Sequence, residues 1–129
     1  METISKEFLE NFVQSNCFEL SSTQIRLSIP IIKRIAKKME LGIRFQSIGT
    51  FDKLIIDGHH RYIASLLTNY PIERVPSQRT SGIQIIEWSM VEFVDDDYDT
   101  LAKINMLNKR DASFNGMSLE KLIDLINNS

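Results

Sequence analysis

The chain has 129 residues, a formal net charge of −2 and a single cysteine, and 43% of its residues are hydrophobic. This length predicts a single domain over residues 1–129 with one hydrophobic core, and the charge argues against a protein that coats nucleic acid. No apolar run approaches the roughly 20 residues of a membrane span, and the acidic N-terminus does not resemble a secretory signal. We therefore expect a cytoplasmic site of action and no membrane partner.

The first part of the chain predicts two amphipathic helices with a short strand between them. Apolar residues recur at helical spacing within residues 1–15, and residues 17–20 are a strand candidate. A second helix begins near Pro30, which is tolerated in a first turn, and stops at Gly42. The basic residues 33–38 on its polar side are interpreted as a solvated face, or else as a surface for nucleic acid or an acidic inhibitor.

A hairpin and a third helix follow. Residues 43–51 and 54–56 are predicted strands joined by a tight turn at Asp52-Lys53. The apolar residues beyond them keep i, i+3, i+4, i+7 spacing, which predicts a helix over residues 59–70 that Pro71 ends.

The remaining chain, residues 72–129, predicts short strands and two further helices. Residues 72–75 are a strand candidate, and residues 83–129 form a C-terminal strand and helices. Within this segment an acidic run at 95–99 begins a helix that reaches about residue 108, because carboxylates favour a helix N-terminus. Ser118 is a good cap for the last helix. Together the elements predict an α+β domain, a small mixed sheet with packed helices.

The residues that suggest chemistry lie where the second hairpin strand ends, in the sequence Leu-Ile-Ile-Asp-Gly-His-His-Arg-Tyr of residues 54–62. A helix N-terminus after a glycine turn offers free backbone N–H groups and partial positive charge to an anion. Gly58 permits close approach of the anion, Arg61 adds a bidentate fork, and each imidazole adds a donor or a proton shuttle. Asp57 either orients an imidazole or merely caps the helix. The residue types alone leave the functional and the purely structural interpretation equally open.

Several familiar sites are excluded. Adjacent histidines on a helix point about 100° apart, so they do not converge on one metal ion, and the chain has no cysteine cluster and no pair of histidines at i and i+4. The glycine-rich nucleotide fingerprints and the Gly-x-Ser-x-Gly elbow are absent as well.

Residues 55–65, Ile-Ile-Asp-Gly-His-His-Arg-Tyr-Ile-Ala-Ser, resemble the signature of the ParB/sulfiredoxin-like superfamily. In that family a strand ends in Gly-x-x-Arg or Gly-x-His-Arg, and the following helix has a small residue where this chain has Ala64. The predicted element order over residues 18–76 is also similar to the family core. The resemblance implies phosphate binding at the start of the helix 59–70. The residues implied are Gly58, His59, His60 and Arg61, with Gln24 and Arg26 as further candidates.

Departures from the family pattern reduce the number of activities that the resemblance implies for this chain. Sulfiredoxins carry a cysteine where this chain has His59, and partition proteins carry Gly-Glu-Arg-Arg followed by a helix-turn-helix. Both activities are therefore disfavoured. The Asp-Gly-His-His-Arg form is closer to the nucleotide-dependent kinases of this fold and to the ParB-like domains of bacterial polymorphic toxins, which are presumed nucleases.

The leading hypothesis is therefore a phosphate-ester-acting enzyme, a nuclease of the bacterial toxin type. Arg61 and the amides after Gly58 would stabilise charge, His60 or His59 would act as acid and base, and Asp57 would orient them or hold a divalent metal such as Mg²⁺. Glu40, near the end of the second helix, is a further candidate base.

Two alternatives remain open: a nucleotide-dependent phosphotransferase that uses a nucleoside triphosphate, and a non-catalytic module that binds a nucleotide, nucleic acid or a protein. A toxin would also have an immunity protein as its partner and could be delivered by a secretion system.

Overall fold

Helices and short strands alternate along the chain in the computed structural model, which describes residues 3–128. The helices are α1 (Lys6–Ser15), α2 (Ile29–Glu40), α3 (His59–Thr68), α4 (Leu101–Phe114) and α5 (Leu119–Asn127), and the strands are β1 (Arg26–Ser28), β2 (Ile48–Phe51), β3 (Leu54–Asp57), β4 (Arg74–Pro76) and β5 (Glu92–Val94). The α+β class is thereby confirmed. Within the described residues, every helix is too short or too polar to cross a membrane.

The strands form two small sheets. In the first, β2 lies between β3, to which it is antiparallel, and β4, to which it is parallel. The predicted turn at Asp52-Lys53 joins β2 to β3, and Asp52 adopts the left-handed conformation with φ +54°. In the second sheet, β1 pairs in parallel with β5, so that Leu27 lies beside Phe93. Because β5 is the only strand within residues 3–128 that pairs with β1, the sheet structure extends beyond the core predicted over residues 18–76.

Helices α2 and α3 run in the same direction. At their starts, the backbone N–H of Ser28 donates to Nε2 of His60 at 2.9 Å. At their ends, the Thr68 hydroxyl lies 3.5 Å from the sulfur of Met39. The N-termini of both helices therefore lie at the same end of the molecule, and the positive ends of two helix dipoles face the same region.

The hydrophobic core lies between helices α1, α2 and α3 and the β1–β5 pair. Its largest fully buried side chains are Leu9, Leu27, Ile32, Ile63 and Phe93. A smaller cluster formed by Ile43, Ala112 and Leu122 packs the two C-terminal helices against the chain that follows α2. The apolar faces predicted for α2 and α3 are therefore the faces that pack into the core.

Three of the predicted strands differ in the structure. Residues 17–20 form no strand, and pairing begins instead at Ser21 and Ser22, each through an isolated bridge. Of the strand predicted over 43–51, only Ile48–Phe51 is regular, because Ile43 turns into the C-terminal cluster. The strand predicted over 72–75 lies at Arg74–Pro76, where it pairs with β2.

Two predicted helix boundaries were also wrong. The helix predicted over residues 59–70 ends at Thr68, because Asn69 adopts the left-handed conformation with φ +57° and its N–H donates to the Ser65 carbonyl. The acidic run does not begin α4, which starts at Leu101 after the capping side chain of Thr100. In contrast, the helix cap predicted at Ser118 is confirmed, since its hydroxyl accepts from the N–H of Lys121.

The basic face of α2, predicted to be solvated, is in part a structural connection. Lys33 and Lys37 are exposed. The guanidinium of Arg34, however, donates to both carboxylate oxygens of Asp97 at 2.6 and 2.8 Å. Lys38 is buried, with its Nζ 2.7 Å from the Asp111 carboxylate. Because α2 belongs to the core, these two pairs fix the segment before α4 and α4 itself to the body of the molecule.

Candidate functional site

A cleft of about 440 Å³ lies at the end of the molecule where α2 and α3 begin. Five segments distant in sequence line it: the polar stretch before β1, the first half of α2, the chain before β2, the turn from β3 into α3, and one face of α4 with the residues before it. Its polar and charged lining consists of Gln24, Gln46, Asp57, His59, His60, Arg61, Tyr98, Asp99, Lys103 and Arg110.

The N-terminus of α3 carries no capping side chain. Gly58 occupies the cap position with φ +98°, whereas a serine or threonine side chain caps each of the other four α-helices. The first helical hydrogen bond runs from the N–H of Tyr62 to the carbonyl of Gly58 at 2.9 Å. The backbone N–H groups of the residues between them, the first turn of α3, therefore remain available to an anion.

The Arg61 side chain lies across this turn. An added Cβ on Gly58 would be 2.7 Å from Nη2 of Arg61 and 2.6 Å from Cγ2 of Ile48, so only glycine fits between them. Nη2 also donates to Asp57 at 3.2 Å, with the arginine side chain 15% exposed and the aspartate 79% exposed. The guanidinium is thus held beside the free N–H groups, while the carboxylate of Asp57 faces solvent.

His59 is buried and connects α3 to the segment before β1. Its Nε2 accepts from the backbone N–H of Thr23 at 2.9 Å and lies 3.2 Å from the Thr23 hydroxyl. Burial lowers the pKa of the imidazole to about 4, an effect that the neighbouring His60 reinforces and the carboxylate of Asp57 opposes. The ring is therefore neutral at pH 7.

His60, about 100° further round the helix, is held in a similar way. Its Nε2 accepts the backbone N–H of Ser28, the residue that caps α2. Burial lowers its pKa to about 4 as well, against the opposing charge of Asp99. The ring stands edge-to-face against Tyr98, with 6.1 Å between the ring centroids.

These contacts define what the two imidazoles can do. Because a backbone N–H donates to each Nε2, the proton of each neutral ring is on Nδ1. Within the described residues, no hydrogen bond involves Nδ1 of His59 or His60, and no buried polar side-chain atom lacks a partner, so each Nδ1 reaches solvent. Each ring therefore offers a ligand one neutral N–H donor. This arrangement suits binding an anion better than abstracting a proton.

The structure brings most of the predicted site residues together, with two exceptions. Gln24 lines the cleft beside residues 57–61. Arg26 is not among the lining residues, and its Nε bonds to Glu92 at 3.3 Å across the β1–β5 pair. Glu40, the last residue of α2, is not among the lining residues, and it lies five residues, or about 7.5 Å along the helix, beyond Ile35, which is the last α2 residue that lines the cleft.

The far wall of the cleft contains residues that the sequence did not single out: Tyr98, Asp99, Lys103 and Arg110. Lys103, Leu107 and Arg110 follow i, i+4, i+7 spacing, which places them on one face of α4. That spacing was the one available signal. It carries no motif, and it gives no indication that this face meets the start of α3.

The charge of the cleft favours an anionic ligand. Three cations, Arg61, Lys103 and Arg110, face two carboxylates. Asp99 is already shared between Arg34 and Lys103 at 3.3 and 3.4 Å. Arg110 makes no ion pair with any residue among 3–128. The two helix N-termini add further positive potential at the same place.

No group of three or more histidine, cysteine, aspartate or glutamate side chains in the described part of the chain is arranged to hold a metal ion. Mg²⁺ bound together with a nucleotide needs only one or two protein carboxylates, since phosphates and water supply the other ligands. The exposed carboxylate of Asp57 meets that need at the edge of the cleft.

Comparisons of the chain with protein-family models, with curated proteins and with solved structures found no match.

Proposed function

We propose that this protein is a phosphate-ester-acting enzyme of the ParB/sulfiredoxin-like type and that its substrate phosphate binds at the N-terminus of α3. The observation that carries the proposal is the uncapped first turn of α3, with Arg61 held against it, at the bottom of a positively charged cleft. Free N–H groups, a helix dipole and a guanidinium are the combination that binds phosphate in proteins.

In this proposal the chain's residues have separate roles. The backbone N–H groups of the first turn of α3 and the Nδ1–H groups of His59 and His60 donate to phosphate oxygens. Arg61 neutralises the charge that develops on them, and charge stabilisation of this kind is the largest contribution in most phosphoryl reactions. Asp57, the exposed carboxylate, is the base that activates the attacking water or hydroxyl. A magnesium ion held by Asp57 would supply further charge neutralisation.

The first candidate reaction is phosphodiester cleavage, the activity of a nuclease of the toxin type. Lys103 and Arg110 extend the positive charge from the α3 turn along the wall formed by α4, which suits a ligand that carries more than one phosphate along a strand. A toxin of this kind would act on nucleic acid and would be neutralised by a dedicated immunity protein.

The second candidate reaction is nucleotide-dependent phosphotransfer, and a specific observation favours it. Neither imidazole presents a free lone pair, because each Nε2 accepts a backbone N–H. Transfer of a terminal phosphoryl group depends almost entirely on positioning and charge stabilisation. The cleft provides these without a histidine base.

Binding is tested first, by titrating the protein with inorganic phosphate and with nucleotides in a calorimeter. Arg61→Lys keeps the charge and loses the bidentate fork, and Arg61→Gln loses both. We expect phosphate affinity to fall about tenfold to a hundredfold in Arg61→Gln, since a charge-assisted hydrogen bond contributes about 1.5–3 kcal/mol. Arg79→Gln is the matched control, because this exposed arginine bonds to the carbonyl of Ile83, away from the cleft. Equal affinity in the Arg61 and Arg79 variants would refute the proposal.

The reaction is tested with plasmid DNA, RNA and labelled nucleoside triphosphates, with and without Mg²⁺. Cleavage of nucleic acid that Asp57→Asn and Arg61→Gln abolish supports the nuclease. Triphosphate turnover without cleavage supports the phosphotransferase. Phosphate binding with neither reaction leaves a non-catalytic binding module. Growth arrest on expression, relieved by Arg61→Gln, would identify a toxin.

A further inference from the structure

Tyr98 is an aromatic side chain that forms part of the cleft wall and that the phosphate site does not use. It is the only phenylalanine, tyrosine or tryptophan among the described residues that line the cleft. Its side chain is 48% exposed although the ring packs edge-to-face against His60. A half-exposed ring in a polar, charged cleft is a surface on which a flat ligand can stack.

The segment that carries Tyr98 is held on both sides of the ring. Arg34 binds Asp97 with both arms of its guanidinium and also reaches Asp99 at 3.3 Å. The N–H of Asp99 donates to the carboxylate of Asp97 at 3.0 Å. One residue before Asp97, the carbonyl of Asp96 accepts from the Ser28 hydroxyl at 2.7 Å.

This clamp persists over a wide range of pH. The guanidinium of Arg34 lowers the pKa of Asp97 to about 2, so the carboxylate stays ionised from mildly acidic conditions upward. Because the backbone is fixed on either side of it, Tyr98 is presented to the cleft without a large ordering cost when a ligand binds. The position of the ring is therefore set before the ligand arrives.

The distance between the ring and the phosphate site decides what kind of ligand fits both. The centroid of Tyr98 lies 6.1 Å from that of His60, whose Nδ1–H and backbone N–H belong to the phosphate site. Because the two rings are in contact, a base stacked on Tyr98 and a phosphate at the start of α3 are close enough to belong to one nucleotide. Inorganic phosphate or a sugar phosphate would leave Tyr98 unused, whereas a nucleoside phosphate would fill both positions.

We propose that Tyr98 forms a nucleobase-stacking subsite, so that the cleft binds a nucleoside phosphate with its base on Tyr98 and its phosphate at the N-terminus of α3. This inference rests on the proposed phosphate site and adds the residue that recognises the base of the substrate. Stacking on one face recognises any base, because every base has a π-face. The subsite therefore selects nucleotides over other phosphate esters without selecting among bases.

The test measures dissociation constants of the full chain for AMP, UMP, ribose 5-phosphate and inorganic phosphate. In Tyr98→Ala we expect the affinity for AMP and UMP to fall roughly 5- to 150-fold, the effect of removing one base–aromatic stack. The affinity for ribose 5-phosphate and inorganic phosphate should be unchanged. Tyr98→Phe, which keeps the ring, should bind both nucleotides like the parent protein. Phe51→Ala removes an aromatic ring of similar exposure, 45%, outside the cleft and is the matched control.

The outcomes separate this inference from the phosphate site on which it rests. If phosphate and ribose 5-phosphate bind through Arg61 and Tyr98→Ala changes no affinity, or changes all four equally, the stacking subsite is refuted and the phosphate site stands. If no phosphate compound binds in an Arg61-dependent way, the proposed function fails and the subsite with it. A single-stranded trinucleotide tells whether the nucleotide is free or part of a strand. Tighter binding of the trinucleotide than of AMP, again weakened by Tyr98→Ala, indicates a strand, and equal or weaker binding indicates a free nucleotide.

Discussion

Gly58 is a position where two independent constraints, a positive φ and a close neighbouring side chain, both exclude a residue with a Cβ. Its φ of +98° is a conformation that side chains rarely adopt, and a Cβ there would lie 2.6 Å from Cγ2 of Ile48. Ile48 is fully buried in β2 and cannot retreat, whereas the tip of Arg61, 2.7 Å from the same Cβ, can swing away. Gly58→Ala therefore strains the backbone, overpacks the core and displaces the guanidinium at the same time.

The magnitude follows from these two constraints. A left-handed conformation costs a residue with a Cβ about 1–2 kcal/mol, and an overpacked core adds about 1–3 kcal/mol. We expect Gly58→Ala to lower the free energy of unfolding by about 2–5 kcal/mol and to weaken phosphate binding. Gly42→Ala is the control, since Gly42 has φ +85° and no atom within 4 Å of the added Cβ. It should lose only the backbone contribution and keep full phosphate affinity.

Urea unfolding of the two variants and the parent protein measures the difference directly, and the thermal midpoint provides a second readout. For a chain of this size each kcal/mol corresponds to roughly 3–6 °C. Equal losses of stability in Gly58→Ala and Gly42→Ala would show that the close approach to Ile48 does not contribute to the loss of unfolding free energy. Unchanged phosphate affinity in Gly58→Ala would refute the position assigned to Arg61.

Three further predictions concern the groups around the cleft. His59 and His60 have a folded pKa of about 4, below the usual value of about 6.5, so the unfolded chain binds more protons between these values. The contribution of the neutral rings to stability should therefore be fully present above pH 6.5 and be lost as the pH drops toward 4, by up to about 3 kcal/mol per imidazole. Urea midpoints measured across this range test this, and His60→Gln should remove about half of the pH dependence. A flat profile would count against buried neutral rings. Asp111→Ala should cost about 3–5 kcal/mol in the same assay, because it leaves the charge of Lys38 buried without a partner, whereas Lys38→Met with Asp111→Leu should stay within about 1 kcal/mol of the parent protein. A double variant as unstable as the single one would contradict that account. Glu40→Gln should leave phosphate affinity within about twofold, since Glu40 lies about 16 Å from the start of α2, and a tenfold loss in calorimetry would restore it as a site residue.

The elements that the sequence predicted correctly are those with local signals. Pro30 and Gly42 mark the two ends of α2, and Ser118 marks the start of α5, because a fixed φ, a left-handed residue and a capping hydroxyl act within one turn of the helix. The turn from β3 into α3 was located for the same reason, since Gly58 directly follows an apolar strand. Such features depend on few neighbours and are visible in a single sequence.

The elements that the sequence did not reveal depend on contacts between distant residues. The wall that carries Tyr98 is held by Arg34 through carboxylates more than 60 positions away, and no local pattern pairs them. The same holds for the two imidazoles, whose Nε2 atoms accept backbone N–H groups of Thr23 and Ser28. Without those partners the histidines were predicted as acid and base. Their surroundings in the fold favour neutral donors, a distinction that residue type alone cannot make.

Two of the ion pairs that α2 makes, one with the segment before α4 and one with α4 itself, differ in how they respond to salt. The pair formed by Lys38 and Asp111 is buried, whereas about a third of each side chain of the pair formed by Arg34 and Asp97 is exposed. Dissolved ions screen exposed charges over about 8 Å at physiological ionic strength and reach buried ones much less. A rise in ionic strength therefore weakens the attachment of the segment around Tyr98 before it weakens that of α4. The cleft wall that carries Tyr98 then becomes less ordered, while the turn that begins α3, held by backbone hydrogen bonds, keeps its structure.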